Sequence, residues 1–413
     1  MPVLTTPTGP ADHTGKALRI GLLIDDSLDR PDGVQQYVLT LGAWLTSCGH
    51  EVHYISSSTH RQDLANLHVL GKTLGVRFNG NSLGTPLPIR ARAARSLVEQ
   101  LDLDILHVQM PYSPLLAGRV IDAVTAWNKR GGHTRLVGTF HIYPDSRLTR
   151  YAAWALGLSQ RRRLARFDKV LAVSGAAQEF AADSFGIETT VIGNPVDTAV
   201  YARAAIQAGQ QRRAAKVDAN AAVAGTSHVV FLGRLVPRKG PGQLIEALAL
   251  LHRQAPDLAW RATIAGRGPL LDQLQALTVT HGIEGRCSFP GFIDEQDKAG
   301  LLASADVVAL PSLGGESFGI SVVEALAASA GIVLAGDNPG YRTVMRGLEP
   351  QLVKPEETAT FAAVLEASME ALGDPVARAV IVAAQHHVAA QFDTSVIGQA
   401  VLDIYRQTVA AGQ

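Results

Sequence analysis

Short, continuous apolar runs alternate with helix-length amphipathic segments along most of this chain, and that repeat constrains its fold more than any other feature. Leu18-Arg-Ile-Gly-Leu-Leu-Ile24 is one such run. It is apolar at successive positions, as a strand buried on both faces of a parallel sheet must be. An amphipathic helix follows from Val34 to Ser47, Gly49-His50 stops it, and Glu51 to Ser56 reads as the next strand. Helix Ile89–Leu101 precedes strand Ile105–Val108, helix Leu115–Lys129 precedes strand Arg135–Phe140, and helix Ser159–Arg166 precedes strand Lys169–Val173. Alternation of this kind predicts a doubly wound parallel sheet.

The pattern lapses over residues 199–226, which are rich in Ala, Gln and Arg and lack a buried-strand run, so a linker region is expected there. It resumes at His228-Val-Val-Phe-Leu232 with helix Gly242–Gln254, strand Ala262–Ile264, helix Leu270–His281 and strand Cys287–Phe289. Helix Asp294–Ser304, strand Val307–Leu310, helix Gly319–Ala328 and strand Ile332–Leu334 complete it, and Val396–Val409 reads as a last amphipathic helix. The expected fold class is therefore α/β, with two doubly wound, Rossmann-like domains facing each other across a cleft. Residues 17–198 are expected to form the first domain and 227–390 the second. A chain of 413 residues with 47% apolar content supplies two such cores. Open α/β sheets bind ligands at the carboxyl ends of their strands, which places the site in the cleft.

Several classes are disfavoured at once. Thirty-seven basic against 37 acidic residues give no electrostatic footprint for nucleic acid. Cys48 and Cys287 stand in no metal-ligand spacing and read as reduced thiols. Residues 1–16 are rich in Thr, Pro and Gly, and read as a flexible tail without the apolar core of a signal peptide. No run of about 18 apolar residues occurs, so a cytoplasmic protein is expected, peripheral at the inner membrane face if it touches a membrane.

The sharpest local signal is Gly315-Glu316-Ser317-Phe318-Gly319 with Glu324 eight residues after Glu316. The segment follows a strand and opens a helix, so its backbone N–H groups and helix dipole favour a diphosphate. At 1.5 Å per residue the two carboxylates lie at most about 12 Å apart, a span comparable to the diphosphate joining a ribose and a hexose. Gly233-Arg234-Leu-Val-Pro-Arg238-Lys239-Gly240 ends the first strand of the second domain. Arg234 and Lys239 are candidates for stabilising a departing diphosphate, whereas Arg238 fits a solvated surface charge equally well. Gly33 opens the first helix, either as simple turn chemistry or to let backbone approach a phosphate. His141 ends a strand and is either a satisfied structural histidine or a donor to a sugar hydroxyl. His107 reads as structural, and Gln109, Met110 and Pro111 stand where an acceptor is expected. Gly266-Arg267-Gly268 begins like a dinucleotide fingerprint but lacks its third glycine, which removes hydride transfer. Base choice is expected to depend on backbone around Gly266 and Phe292. Arg90, Arg92 and Arg95 on one helix, and Arg161-Arg162-Arg163 on another, are candidate contacts for an anionic membrane surface.

These residues together resemble the family 4 retaining glycosyltransferases of GT-B fold, and within them the actinobacterial phosphatidylinositol mannosyltransferases. The resemblance covers nearly the whole chain after the tail. It runs through Asp32-Gly33-Val34-Gln35, Phe78-Asn79-Gly80, Leu106-His107-Val108, Gly138-Thr139-Phe140-His141 and Ala172-Val173-Ser174. Asn194-Pro195-Val196-Asp197, Phe231-Leu232-Gly233-Arg234, Arg238-Lys239-Gly240, Ser304-Ala305-Asp306 and Leu313-Gly314-Gly315-Glu316-Ser317-Phe318-Gly319 complete it. It implies a GDP- or UDP-linked sugar as donor, with Arg234 and Lys239 on the diphosphate and Gly33 admitting the β-phosphate. Glu316 would meet the donor sugar, Phe318 and Gly319 would supply backbone beside it, and Glu324 would hold the ribose. His141 would stand near the donor sugar and acceptor. It further implies that residues 391–413 form a helix crossing back onto the first domain. Neither cofactor nor metal is implied, and no Asp-x-Asp pair ends a strand. The expected reaction is hexose transfer, mannose from GDP-mannose being the example, to a lipid-linked or polyol acceptor such as phosphatidylinositol. The alternatives are UDP-sugar transfer to a soluble or glycolipid acceptor, a nucleotide-sugar epimerase, and a non-catalytic binder. Four departures from the family pattern stand out: Asp32 in place of a second glycine, Pro195 in place of a glycine, Ala327-Ala328-Ser329-Ala330 where a glycine is common, and Arg234 and Lys239 one residue closer together.

Overall fold

The apolar runs of the first half assemble one seven-stranded parallel sheet. Its strands are β1 (Arg19–Ile24), β2 (Glu51–Ser56), β3 (Leu67–Val69), β6 (Ile105–Gln109), β7 (Arg135–Phe140), β8 (Lys169–Ala172) and β9 (Thr190–Val191), in the order β3-β2-β1-β6-β7-β8-β9. An antiparallel hairpin, β4 (Thr73–Phe78) and β5 (Asn81–Pro86), stands apart. Helices α1 (Gly33–Ser47), α2 (Ala91–Leu101), α3 (Leu116–Asn128), α4 (Arg147–Leu164) and α5 (Gly175–Phe185) connect the strands. This computed structural model describes residues 16–29, 32–71, 73–78, 81–86, 90–144, 147–217 and 226–412. The tail, Asn79-Gly80, a helix start at Ile89 and the last part of the expected linker lie outside the described residues.

Burial explains why β1 reads as a continuous run. Ile20, Leu22 and Ile24 pack with α1 on one face, while Leu23 packs with α2 and α3 on the other. Both sets are removed from water, so no polar alternation remains. The helix ends use ordinary chemistry where they are only structural. Ser174 caps α5 by accepting from the Ala177 amide, and Gly186 ends it at φ 66°.

The second sheet is also parallel, in the order β12-β11-β10-β13-β14-β15: β10 (Ser227–Leu232), β11 (Trp260–Ala265), β12 (Cys287–Gly291), β13 (Val307–Leu310), β14 (Ile332–Gly336) and β15 (Leu352–Val353). It carries α7 (Pro241–Gln254), α8 (Leu271–Thr280), α9 (Glu295–Ser304), α10 (Ile320–Ala328), α11 (Tyr341–Val344), α12 (Thr358–Ala371) and α13 (Pro375–Ala390). Strand order reverses between β1 and β6 in one sheet and between β10 and β13 in the other. Those two switch points are where ligands enter such sheets.

Several elements differ from the sequence expectation. Much of the expected linker is helix α6 (Thr198–Val217), anchored by buried Tyr201 and Ala205. Ala, Gln and Arg are strong helix formers, and the absence of a strand pattern said nothing against a helix. Helix α4 begins at Arg147, twelve residues before the expected Ser159. Helices α12 and α13 were not anticipated: Val376 and Val380 lie exposed on α13, which blurs its apolar stripe. The last helix, α14 (Thr394–Ala410), packs Ile397, Val401, Leu402 and Tyr405 against β1 and α1 of the first domain.

Candidate active site

Both constellations of the second domain stand at its switch point. The loop after β10 carries Arg234, Arg238 and Lys239, and the loop after β13 carries Gly315 to Gly319. Glycines make that approach possible. A Cβ on Gly240 (φ 71°) would lie 2.0 Å from the Pro311 carbonyl oxygen, and one on Gly266 (φ 142°) would lie 1.8 Å from that of Gly233. Gly266 therefore has a packing reason to be glycine: it lets the ends of β10 and β11 touch.

One carboxylate oxygen organises the cations. Glu316 Oε1 accepts from Arg238 Nη1 at 2.6 Å, from Lys239 Nζ at 2.8 Å and from Ser312 Oγ at 2.7 Å. Burial alone raises a carboxyl, but Lys239 and Arg238 outweigh it and hold Glu316 below the usual carboxylate range. Burial also draws Lys239 below the ordinary lysine range, with Glu316 opposing. Arg238 is thus no solvated surface charge; it is part of the cluster. Arg234 is half-buried and lies within electrostatic reach of Arg238, Asp32 and Glu316; burial, above all, draws its pKa down.

The first residues of two helices come into contact here. A Cβ built on Gly33, the first residue of α1, would meet Ile320 Cδ1, on the first residue of α10, at 3.4 Å. Neither helix has a side-chain cap or an acidic residue in its first turn. The Val322 amide donates to the Gly319 carbonyl at 2.9 Å, but uncapped first turns beside Arg234, Arg238 and Lys239 still favour an anion. Gly319 precedes α10 at φ 110°, and a Cβ there would strike Tyr341 at 2.6 Å. The Phe318 side chain points away into the core, 2% exposed, edge-on to Phe392 at 5.3 Å, so only its backbone can serve a ligand.

Glu316 lies in the turn before α10 and Glu324 within the helix, so the helical rise does not set their separation. Glu324 is buried with Oε1 2.7 Å from Lys298 Nζ. The same ammonium lies 2.8 Å from Glu295 Oε1, which accepts from the Tyr201 hydroxyl at 3.1 Å. Despite burial, Glu324 and Glu295 hold Lys298 above its usual range. Sequence reasoning passed over Lys298 and Tyr201; Glu295-x-x-Lys298 on one helix was the available sign.

Across the cleft, His141 is buried at the end of β7. Its Nε2 lies 2.7 Å from Gln109 Oε1, and its ring stands edge-on to Tyr37 at 4.9 Å. Burial lowers its pKa to about 3, so the imidazole is neutral at physiological pH. The buried Gln109 Nε2 has no partner among the described residues, and the next residue, Met110, sits at φ 54°. An orphan donor beside a strained strand end marks a place built for something other than stability. His107, by contrast, is satisfied at both nitrogens, by Tyr405 and Thr139 at 2.6 Å each. Ser317 joins the two halves: its Oγ accepts from the Tyr143 amide at 2.9 Å and its carbonyl from Ser174 Oγ.

Arg92 and Arg95 are exposed on α2, with Arg90 just before it. Arg163 is not part of a free basic run, because it pairs with Asp122 at 2.9 Å. No group able to hold a metal ion occurs among the described residues, and no described helix is long and apolar enough to cross a membrane.

Two family models divide the chain as the sheets do. Residues 31–200 match Glycosyltransferase Family 4, and residues 213–383 match Glycosyl transferases group 1. A phosphatidyl-myo-inositol mannosyltransferase of Mycolicibacterium smegmatis is 31% identical over 96% of this chain and 95% of its own. One from Mycobacterium tuberculosis is 30% identical over 96% and 98%. Among solved structures, a glycosyltransferase from Rickettsia africae superposes with a TM-score of 0.69 at 18% identity, covering 94% of this chain and 98% of its own. Anabaena HepE in complex with UDP gives 0.67 at 20%, over 94% and 99%. With such relatives aligned along nearly its whole length, the chain belongs to the family 4 glycosyltransferases of GT-B fold, beside the phosphatidyl-myo-inositol mannosyltransferases.

Proposed function

We propose that this glycosyltransferase moves a hexose, mannose from GDP-mannose in the leading reading, onto an inositol lipid, with retention at the anomeric carbon. The observation that carries the donor half is the contact between the uncapped starts of α1 and α10, at Gly33 and Ile320, beside Arg234, Arg238 and Lys239. A diphosphate entering there competes with Glu316 for Lys239 and Arg238, and in doing so frees that carboxylate for the hydroxyls of the donor sugar. Negative charge grows on the leaving diphosphate, so fixed cations stabilise the transition state more than the ground state. Glu324, once exchanged from Lys298, takes the ribose hydroxyls. The acceptor hydroxyl bonds to the anomeric carbon from the face the diphosphate leaves, as the bond from that carbon to the phosphate oxygen breaks and the hydroxyl proton passes to the departing oxygen, with neutral His141 and the Gln109 amide on the acceptor side. Mannose and the inositol lipid rest on the names of the mycobacterial relatives.

The test is transfer from labelled GDP-mannose, GDP-glucose, UDP-glucose and UDP-galactose to phosphatidylinositol in detergent, with the anomer of the product read by NMR. An α-mannosyl lipid formed from GDP-mannose supports the proposal. Transfer from a UDP-sugar alone moves the donor to that base, and no transfer from any donor refutes the reading.

A further inference from the structure

Two buried histidines stand on neighbouring strands, and the fold holds them differently. His107 in β6 uses both ring nitrogens, Nδ1 with the Tyr405 hydroxyl and Nε2 with Thr139 Oγ1. His141, directly after β7, uses one: among the described residues its only hydrogen bond joins Nε2 to Gln109 Oε1 at 2.7 Å. An amide oxygen can only accept, so this contact requires the hydrogen on Nε2. In a neutral imidazole Nδ1 is then a bare lone pair. The groups around the ring leave that assignment intact. Tyr37 of α1 stands edge-on to His141 at 4.9 Å and to His107 at 6.0 Å, and burial holds its hydroxyl well above the ordinary tyrosine range. Burial keeps His107 neutral as well, lowering its pKa to about 3. The contact also has a cost. Gln109 is 0% exposed, and its Nε2 has no partner among the described residues. A stranded N–H destabilises the fold, and a methionine of similar length would avoid it. What the glutamine alone offers is its oxygen.

We infer that Gln109 is a positioning residue: it fixes His141 as the Nε2–H tautomer, so that the ring offers the cleft a lone pair at Nδ1 and never a proton. Nδ1 then accepts from a substrate hydroxyl. That hydroxyl is not the reacting one, whose proton passes to the departing phosphate oxygen. It is a neighbouring hydroxyl, on the transferring sugar or on the acceptor, held in register by the bond. Gln109 itself touches no substrate, because its side chain is closed off behind His141. A wrong tautomer turns the lone pair into an N–H and leaves the hydroxyl without its acceptor. The role of the hydroxyl rests on the transferase reading, whereas the tautomer is a property of the chain alone, and the test keeps the two apart.

The full-length chain, isotope-labelled in its 13 histidines, is read by nitrogen NMR with no substrate present, and His141→Asn identifies the signal of interest. A neutral ring with its proton on Nε2, unchanged between pH 6 and pH 8, is expected from a pKa lowered to about 3. A proton on Nδ1 overturns the proposal. In Gln109→Met both tautomers should appear, and kcat/KM should fall at least about tenfold while the melting temperature is kept or raised. The KM that rises assigns the hydroxyl, the donor's to the transferring sugar and the acceptor's to the acceptor. Gln109→Glu keeps an oxygen on Nε2 but adds a charge that favours the imidazolium. Its transfer should stay near the parent rate at pH 8 and fall toward pH 5 at least about tenfold further than the wild type does, because a protonated Nδ1 no longer accepts. Should the buried carboxylate prevent folding, the NMR and Gln109→Met arms decide. Gln109→Met with the parent kcat/KM overturns the proposal, and so does a folded Gln109→Glu whose pH profile runs parallel to the wild type. A wild-type chain that transfers no sugar refutes the transferase reading and leaves the tautomer result standing.

Discussion

Glu316 concentrates the electrostatics of the cleft, since Arg238, Lys239 and Ser312 all donate to one of its oxygens. Lys239→Met removes a half-buried cation proposed to stabilise the leaving diphosphate, and leaves Arg238 to hold Glu316. The expected result is a fall in kcat of about a hundredfold or more with the melting temperature nearly kept, measured by steady-state transfer and thermal unfolding. Gly266→Ala tests a different kind of residue. Its Cβ would overlap the Gly233 carbonyl at a φ that disfavours side chains, so the loss is in stability. Melting should drop by more than about 5 °C. Residue chemistry was partly legible in the sequence. Gly-Glu-Ser-Phe-Gly after a strand was read as a strand-to-helix turn, and it does lie between β13 and α10. Arg238 was ambiguous, because spacing alone does not say which of three neighbouring cations turns toward a glutamate 78 positions away. Lys298 showed only its i,i+3 pairing with Glu295, not the Glu324 contact that the fold brings in, and the orphan amide of Gln109 was invisible, since it is orphaned only by the surroundings the fold gives it.

At the scale of elements, Asp25 ends β1 and accepts from the Ala117 amide, in the first turn of α3, at 2.5 Å, and from Ser113. Burial, opposed by those bonds, raises its pKa from 3.8 to about 6. Below 3.8 the carboxyl is protonated in both folded and unfolded chains. As pH rises from there through about 6, the unfolded state gives up its proton first, so this group's contribution to stability declines. Asp25→Asn keeps an acceptor for α3 without that titration. It should gain about 2–3 kcal/mol relative to wild type between pH 4 and pH 7, seen as a flatter plot of melting temperature against pH. Tyr405→Phe tests α14 in the same way. It strips His107 Nδ1 of its partner, which should cost about 1–3 kcal/mol in thermal unfolding without changing kcat. The buried strands were readable because both faces are apolar. Helices α6 and α13 were not, because one was judged only against a strand pattern and the other exposes valines.

At the scale of the whole molecule, two parallel sheets bring their switch points together, and the site is what lies between them. The bridge at Ser317, from Tyr143 and Ser174, sets the loop after β13 against the segment that follows β7 and His141. The two-domain plan followed from the repeat of apolar runs, whereas the pairing of the two helix N-termini did not, since it depends on how the sheets face each other. The most direct test of the account is equilibrium binding of GDP against GMP, and of UDP against UMP, by calorimetry on the wild type and on Lys239→Met. The cluster around Glu316 and the contact between the starts of α1 and α10 predict that one diphosphate binds at least about tenfold more tightly than its monophosphate, and that Lys239→Met erases most of the difference. A diphosphate that binds no better than the monophosphate for either base would contradict the account.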